Sequence, residues 1–101
     1  LILENIVFLE LKRRGYNITV GKAGEKEVDF IAERQSERIY LQVAYLLATP
    51  ETIEREFGVY RSIRDNYPKY VLSLDEFDMS RDGIIHINIR DFLLNKSLCF
   101  H

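Results

Sequence analysis

Asp29 stands between two apolar residues, Val28 and Phe30, in the run Glu27 to Tyr45, EVDFIAERQSERIYLQVAY. A carboxylate in so apolar a setting is costly unless hydrogen-bond donors, a base or a metal ion meet it. In the next apolar run Tyr40, Gln42 and Ala44 alternate with Leu41, Val43 and Tyr45, so on a strand the first three share one face. Two or three oxygens converging from neighbouring strands would hold Mg²⁺, which polarises a phosphate and lowers the pKa of an attacking water. Such a site also needs a cation, a Lys two residues beyond the last ligand, to orient that water and offset charge in the transition state. Ala44 stands there. Asp29 and Gln42 could thus offer oxygens to a metal ion, with no cation beside them in the sequence.

The elements that must position these residues are legible from periodicity and turn signals. Leu3, Ile6, Val7, Leu11 and Arg14 fall at helical spacing and end at Gly15, which predicts a helix over 1–14 with a basic C-terminus. Tyr16, Ile18 and Val20 alternate with Asn17 and Thr19 as a half-buried strand, and 21–26 read as a charged turn. Strands follow over about 27–34 and 38–46, joined by Gln35-Ser36-Glu37. Thr49-Pro50-Glu51 opens a second helix with an N-cap, a first-turn Pro and an acid, carried to about Asp65 by Ile53, Phe57 and Tyr60. Its exposed pairs are expected to be Glu51/Arg55 and Arg61/Asp65. Tyr70–Leu74 and Ile84–Ile89 are further strands, separated by an acidic loop, and a short helix over about 90–95 leads into the tail. The first three strands, joined by short turns, form an antiparallel meander. A later strand returning through the second helix joins in parallel. The expected fold class is a mixed α/β (α+β) domain, αβββαββ at its core, with a mixed four- to five-stranded sheet flanked by helices.

With 101 residues, 47% hydrophobic and 30% charged, the chain reads as one globular domain, 1–101, without a linker or repeat. Its net charge of −2 gives no overall attraction to phosphate backbones, so any nucleic-acid contact must be a local patch. The lone Cys99, with no CxxC motif or Cys/His cluster, suits a reducing, cytoplasmic setting as a buried or frayed tail thiol. No apolar run is long enough to cross a membrane, and no signal-peptide pattern opens the chain. The absence of an initiating Met, with a helical pattern from the first residue, suggests a fragment of a larger polypeptide.

These residues carry a resemblance. The order helix, three strands, helix, strand, with Asp29 and the Gln42-Val43-Ala44 triplet, resembles the PD-(D/E)xK superfamily of restriction-endonuclease-like nucleases and Holliday-junction resolvases. The resemblance implies that Glu4 matches the helical Glu of the resolvase-like branch, Asp29 the metal-binding Asp, Gln42 the second acid and Ala44 the Lys. Gln is compatible with a ligand role through its carbonyl, whereas Ala44 has no polar group. More closely, LENIVFLELKRRGY, KEVDFIAE, IYLQVAY and NYPKYVLSLDEFDMSRDGIIHINIRDFLL resemble the C-terminal domain, of unknown function, of a family of bacterial and archaeal AAA-type ATPases. That resemblance implies an ATPase module upstream in the same polypeptide as the first partner. ATP would bind there and not here, because this chain has no phosphate loop of the Gly-x-x-x-x-Gly-Lys-Ser/Thr kind.

Losing the basic group of such a site typically costs about 10²–10⁴ in rate, so rescue would need Lys22 or Arg55 to reach it. Each residue also has a plainer role. Asp29 could accept hydrogen bonds from a nearby turn or pair with a base, and Glu4 is already favourable near a helix N-terminus. Lys12, Arg13 and Arg14, with Lys22 and Lys26, form the one basic concentration that could touch DNA phosphates or an acidic partner, or be a solvated helix end. The tyrosines at 40, 45, 60, 67 and 70 suit core and rim packing better than base stacking. Asp75, Glu76, Asp78 and Asp82 lack the spacing of a calcium loop. His86 reads as a satisfied strand histidine, and His101 ends the chain. The expectation is a nuclease-inactive accessory domain with no cofactor of its own, serving DNA or protein recognition or regulation. Its competitors are a Mg²⁺-dependent DNA nuclease using Glu4, Asp29 and Gln42, and a docking or self-association module.

Overall fold

The computed structural model describes residues 2–23 and 26–94, with the backbone alone at 22, 23 and 26. Its elements are α1 (Ile2–Arg13), β1 (Asn17–Ala23), β2 (Lys26–Arg34), β3 (Glu37–Val43), α2 (Pro50–Gly58) continued by a 3₁₀ turn (Val59–Ser62), β4 (Lys69–Ser73), β5 (Ile85–Asn88) and α3 (Ile89–Leu94). The strands form one mixed sheet in the order β1-β2-β3-β4-β5. β1, β2 and β3 are an antiparallel meander, while β4 lies parallel to β3 and β5 parallel to β4. The fold is α+β, a five-stranded mixed sheet flanked by helices, as the element order required.

Alternation sorts the sheet residues into two cores. On one face Val7 and Leu11 of α1 and Ile89 and Phe92 of α3 pack on Phe30, Ala32, Ile39, Leu41, Tyr70 and Leu72. On the other, Phe57 of α2 and Tyr60 of the 3₁₀ turn pack on Val28, Tyr40, Val71 and Ile84. Each fully buried side chain of this size is worth about 1.5–3 kcal/mol relative to exposure. The helices therefore hold opposite faces of the sheet, and Gln42, which follows the alternation of Tyr40, points to the α2 side.

Several boundaries differ from the sequence reading for identifiable reasons. Thr49 caps α2 as expected, its Oγ1 accepting from the Thr52 amide at 3.1 Å. The α-helix stops at Gly58, however, and tightens into a 3₁₀ turn ending at Ser62, short of Asp65, because Tyr60 is drawn inward to donate to the Tyr70 carbonyl at 2.7 Å. Arg61 accordingly pairs with Glu54 and Asp65 with Lys69, so neither expected exposed pair of this helix forms as written. β1 runs on through Ala23 and β2 starts at Lys26, so most of 21–26, read as a turn, is strand. Ile6, placed by periodicity on the buried face of α1, is exposed, and Phe8 packs inward instead. Asp82 and Gly83, at φ 54° and 79°, form a tight turn between the bridged Arg81 and Ile84, the conformation an Asp-Gly pair favours.

Candidate functional site

The sheet is irregular where Asp29 sits. Thr19 of β1 faces Ile31 of β2, but Gly21 faces Val28, so β2 carries one extra residue at a bulge that contains Asp29. Gly21 suits this crossing, since a Cβ there would come within 2.6 Å of Ile31. Pairing of β2 with β3 ends at Phe30 and Leu41. Along β3 the Tyr40 and Ala44 amides bond towards β4, to the Pro68 and Leu72 carbonyls, so by alternation the Val43 amide points at the departing β2. Side chains close this gap. The Val43 amide donates to Asp29 Oδ2 at 2.9 Å, and the Asp29 amide donates to Gln42 Oε1 at 2.7 Å. A backbone N–H can only donate, which fixes the orientation of the Gln42 amide and turns its Nε2 outward. That Nε2 donates to Glu56 Oε1 on α2 at 3.2 Å. Asp29 and Gln42 thus continue the ladder where the backbones part.

Glu56 is the member of the cluster that sequence reasoning missed. Its only sequence signal is the position one residue before the buried Phe57 on an otherwise charged helix. Its partner beyond Gln42 is Arg55 Nε, at 3.4 Å from Oε2. Burial raises the Asp29 pKa above the ordinary carboxylate value, partly opposed by the Val43 amide. Burial also raises that of Glu56, with the Asp29 charge adding to it. The phenol of Tyr60, buried beneath them, is pushed well above its ordinary range, first by burial and then by the Asp29 charge. Two acids therefore face each other across one amide, in surroundings that disfavour their charged forms.

Glu4, in the first turn of α1, reaches the same end of β3 from the opposite layer. It lines a hollow of about 150 Å³ with Leu3, Val43, Ala44 and Tyr45. The expected site residues are divided: Asp29 and Gln42 are bonded to each other, with Gln42 on the α2 side, while Glu4 reaches the end of β3 from the α1 side and lines the hollow with Ala44. Of the two cations considered as substitutes, Arg55 touches Glu56, while the Lys22 side chain lies outside the described residues. No cluster of three or more His, Cys, Asp or Glu side chains disposed to hold a metal ion is found among the described residues.

Two members of the basic concentration are engaged within the protein itself. Arg13 and Arg14 both bind Glu10, at 2.5 and 2.7 Å, and hold its carboxyl down at about 2, the Arg13 hydrogen bond outweighing the cost of partial burial. Arg14 is turned inward, donating to the Phe92 carbonyl at 2.6 Å and stacking on the Phe92 ring. It ties α1 to α3 and is withdrawn from any phosphate. Lys12 is exposed.

Ser73, Asp75 and His86 make a second polar cluster that looks like a nucleophile with its base. Ser73 Oγ lies 2.6 Å from Asp75 Oδ2 and 2.7 Å from His86 Nε2. The Met79 amide donates to His86 Nδ1 at 3.1 Å, which makes Nδ1 the acceptor and leaves the ring proton on Nε2. The chain of donation thus runs from His86 to Ser73 to Asp75, opposite to the direction in which a base would activate a serine. Ser73 is also 0% exposed. The cluster pins the β4–β5 connection to the sheet, with the Leu47 amide donating to Asp75 Oδ2 at 2.7 Å. His86 is, as the sequence suggested, a satisfied strand histidine; burial lowers its pKa against the opposing charges of Asp75 and Asp78. Cys99 and His101 lie outside the described residues.

No family model matches the chain. It is similar to an uncharacterized protein of Haemophilus influenzae, at 43% identity over 93 residues. That match takes in 91% of this chain but 22% of the relative, so the chain spans about a fifth of the length of the curated relative it matches. Among the described residues no helix is long and apolar enough to cross a membrane.

Proposed function

We propose that this chain is a restriction-endonuclease-like accessory domain without nuclease activity, one module of a larger, AAA-type ATPase of the cytoplasm, acting in nucleic-acid or protein recognition or regulation. The observation that carries the reading is the state of the oxygens at the end of β3. The Gln42 carbonyl accepts from the Asp29 amide, Asp29 Oδ2 accepts from the Val43 amide, and Ala44 supplies no cation. Groups that would bind Mg²⁺ in a nuclease here substitute for missing strand hydrogen bonds. The length of the relative, several times that of the aligned region, supports a module within a longer polypeptide.

The competing nuclease reading is favoured by one observation: Asp29 and Gln42 stand together with the carboxylate of Glu56 beside them, and Glu4 reaches the same strand end from the opposite layer. In that reading Asp29, Glu4 and the Gln42 carbonyl would hold Mg²⁺, which would activate water at a phosphodiester. Mn²⁺ titrated by calorimetry into the protein and into an Asp29→Ala variant separates the two. The proposal expects no binding below millimolar metal and no cleavage of single- or double-stranded DNA. Micromolar binding abolished in the variant, with metal-dependent cleavage, would overturn it.

A further inference from the structure

The two helical layers of this domain have opposite surfaces. On α2 the residues turned away from the core are charged, with Glu51, Glu54 and Arg55 all exposed, which is the pattern of a helix meeting water. α1 is apolar on both sides. Val7 and Leu11 are buried, while Ile2, Ile6 and Leu9, spaced four and three residues apart, form a second stripe facing away from the sheet, with Ile2 68% and Leu9 65% exposed. An exposed apolar stripe rimmed by polar residues is the mark of an interaction surface. α3, tied to the end of α1 by the Arg14 bond to the Phe92 carbonyl and packed on the same face of the sheet, carries two more exposed aliphatic residues, Leu93 and Leu94. Glu10 and Arg13, two of the polar residues beside this stripe, are paired with each other, and the exposed Asn5 and Lys12 complete its rim. The stripe therefore presents methyl groups within a polar rim.

We infer that this α1/α3 face is the seat of an apolar surface from another module of the same polypeptide. The inference rests on the reading of the chain as one module of a longer protein. Two observations select this occupant. A stable interface between separate molecules buries about 800 Å² on each partner, more than a row of five aliphatic side chains on two short helices offers. A tether raises the effective concentration to about millimolar and lets a smaller face suffice. The relative, in turn, continues well beyond the aligned region, which occupies 22% of its length. The opposite layer, with its charged α2, stays in water, so the domain would attach by one side and leave the carboxyl end of β3 accessible.

Cysteine labelling of the full-length protein tests this. In a cysteine-free background, Leu9→Cys and Ile6→Cys on the stripe are compared with Val20→Cys on β1 and Phe77→Cys on the β4–β5 connection, the last two replacing residues 77% and 83% exposed. A water-soluble maleimide should label the stripe positions at least about tenfold more slowly than the controls, at a ratio unchanged by dilution. Equal rates would overturn the inference. Slow labelling that becomes fast on dilution would also overturn it, by assigning the face to a second copy. The intact mass of the natural protein separately decides whether a longer polypeptide exists, so failure of the face and failure of the modular reading are told apart.

Discussion

Placing an acid at position 42 should destabilise this domain. Gln42→Glu keeps the acceptor for the Asp29 amide but replaces the Nε2 donor, 3.2 Å from Glu56 Oε1, with a carboxylate oxygen. Two unit charges at that separation repel by about 5 kcal/mol at an effective dielectric constant near 20, before screening. Proton uptake sets a ceiling. Holding one ordinary carboxyl, with a pKa near 4.3, protonated at pH 7 costs about 3.7 kcal/mol, at about 1.4 kcal/mol per pH unit. The lost hydrogen bond contributes about 1 kcal/mol, and partial exposure of the cluster reduces the repulsion. A loss of about 2–4 kcal/mol at pH 7 is expected, read as a fall in Tm of roughly 10–25 °C for a domain of this size. The deficit should shrink towards zero near pH 4 as the cluster takes up protons. Mn²⁺ should then recover stability in the variant and leave the parent unmoved, since a ligand at a hundred times its Kd contributes about 2.7 kcal/mol. Thermal melts at pH 7 and pH 4, with and without Mn²⁺, decide it. A variant melting within about 3 °C of the parent at pH 7 without metal would refute the arrangement of Asp29, Gln42 and Glu56 described above.

Further outcomes follow from the same geometry. Ser73→Ala leaves the buried His86 Nε2–H without its acceptor and should cost about 1–3 kcal/mol in urea unfolding, with the β4–β5 connection exchanging amide hydrogens faster; unchanged exchange there would contradict its role as a pin. His86 has a folded pKa below its ordinary 6.5, so its contribution is full above pH 6.5 and lost as pH falls through the folded value; a His86→Gln variant should lack this acid-side decline. Glu56→Gln works in the opposite sense: the raised folded pKa makes the acid most costly at neutral pH, so the variant should match or exceed the parent at pH 7, and its advantage should vanish below the ordinary carboxylate value of 4.5. Thr49→Ala, which removes the cap on the Thr52 amide, should lower stability by about 1 kcal/mol.

What the sequence by itself determined is whatever short-range physics controls. The alternation in Tyr40–Val43 placed β3 and the face that Gln42 shares with Tyr40. Thr49-Pro50 fixed the start of α2, Asp82-Gly83 the turn before β5, and the element order the mixed sheet. Asp29 stood out because a carboxylate between Val28 and Phe30 has to be answered by something. Only the tertiary structure decided what answers it. The bulge that turns Asp29 towards the Val43 amide depends on how β1 crosses β2, and Glu56 arrives from a helix whose own pattern reads as solvent-exposed. The basic helix end looked available until Arg14 was drawn inward by the Phe92 carbonyl, a partner far along the chain. Periodicity marked α1 as apolar but could not say which of its two apolar stripes would be covered. That choice is made by contacts between segments distant in sequence, where neither residue type nor spacing carries the information.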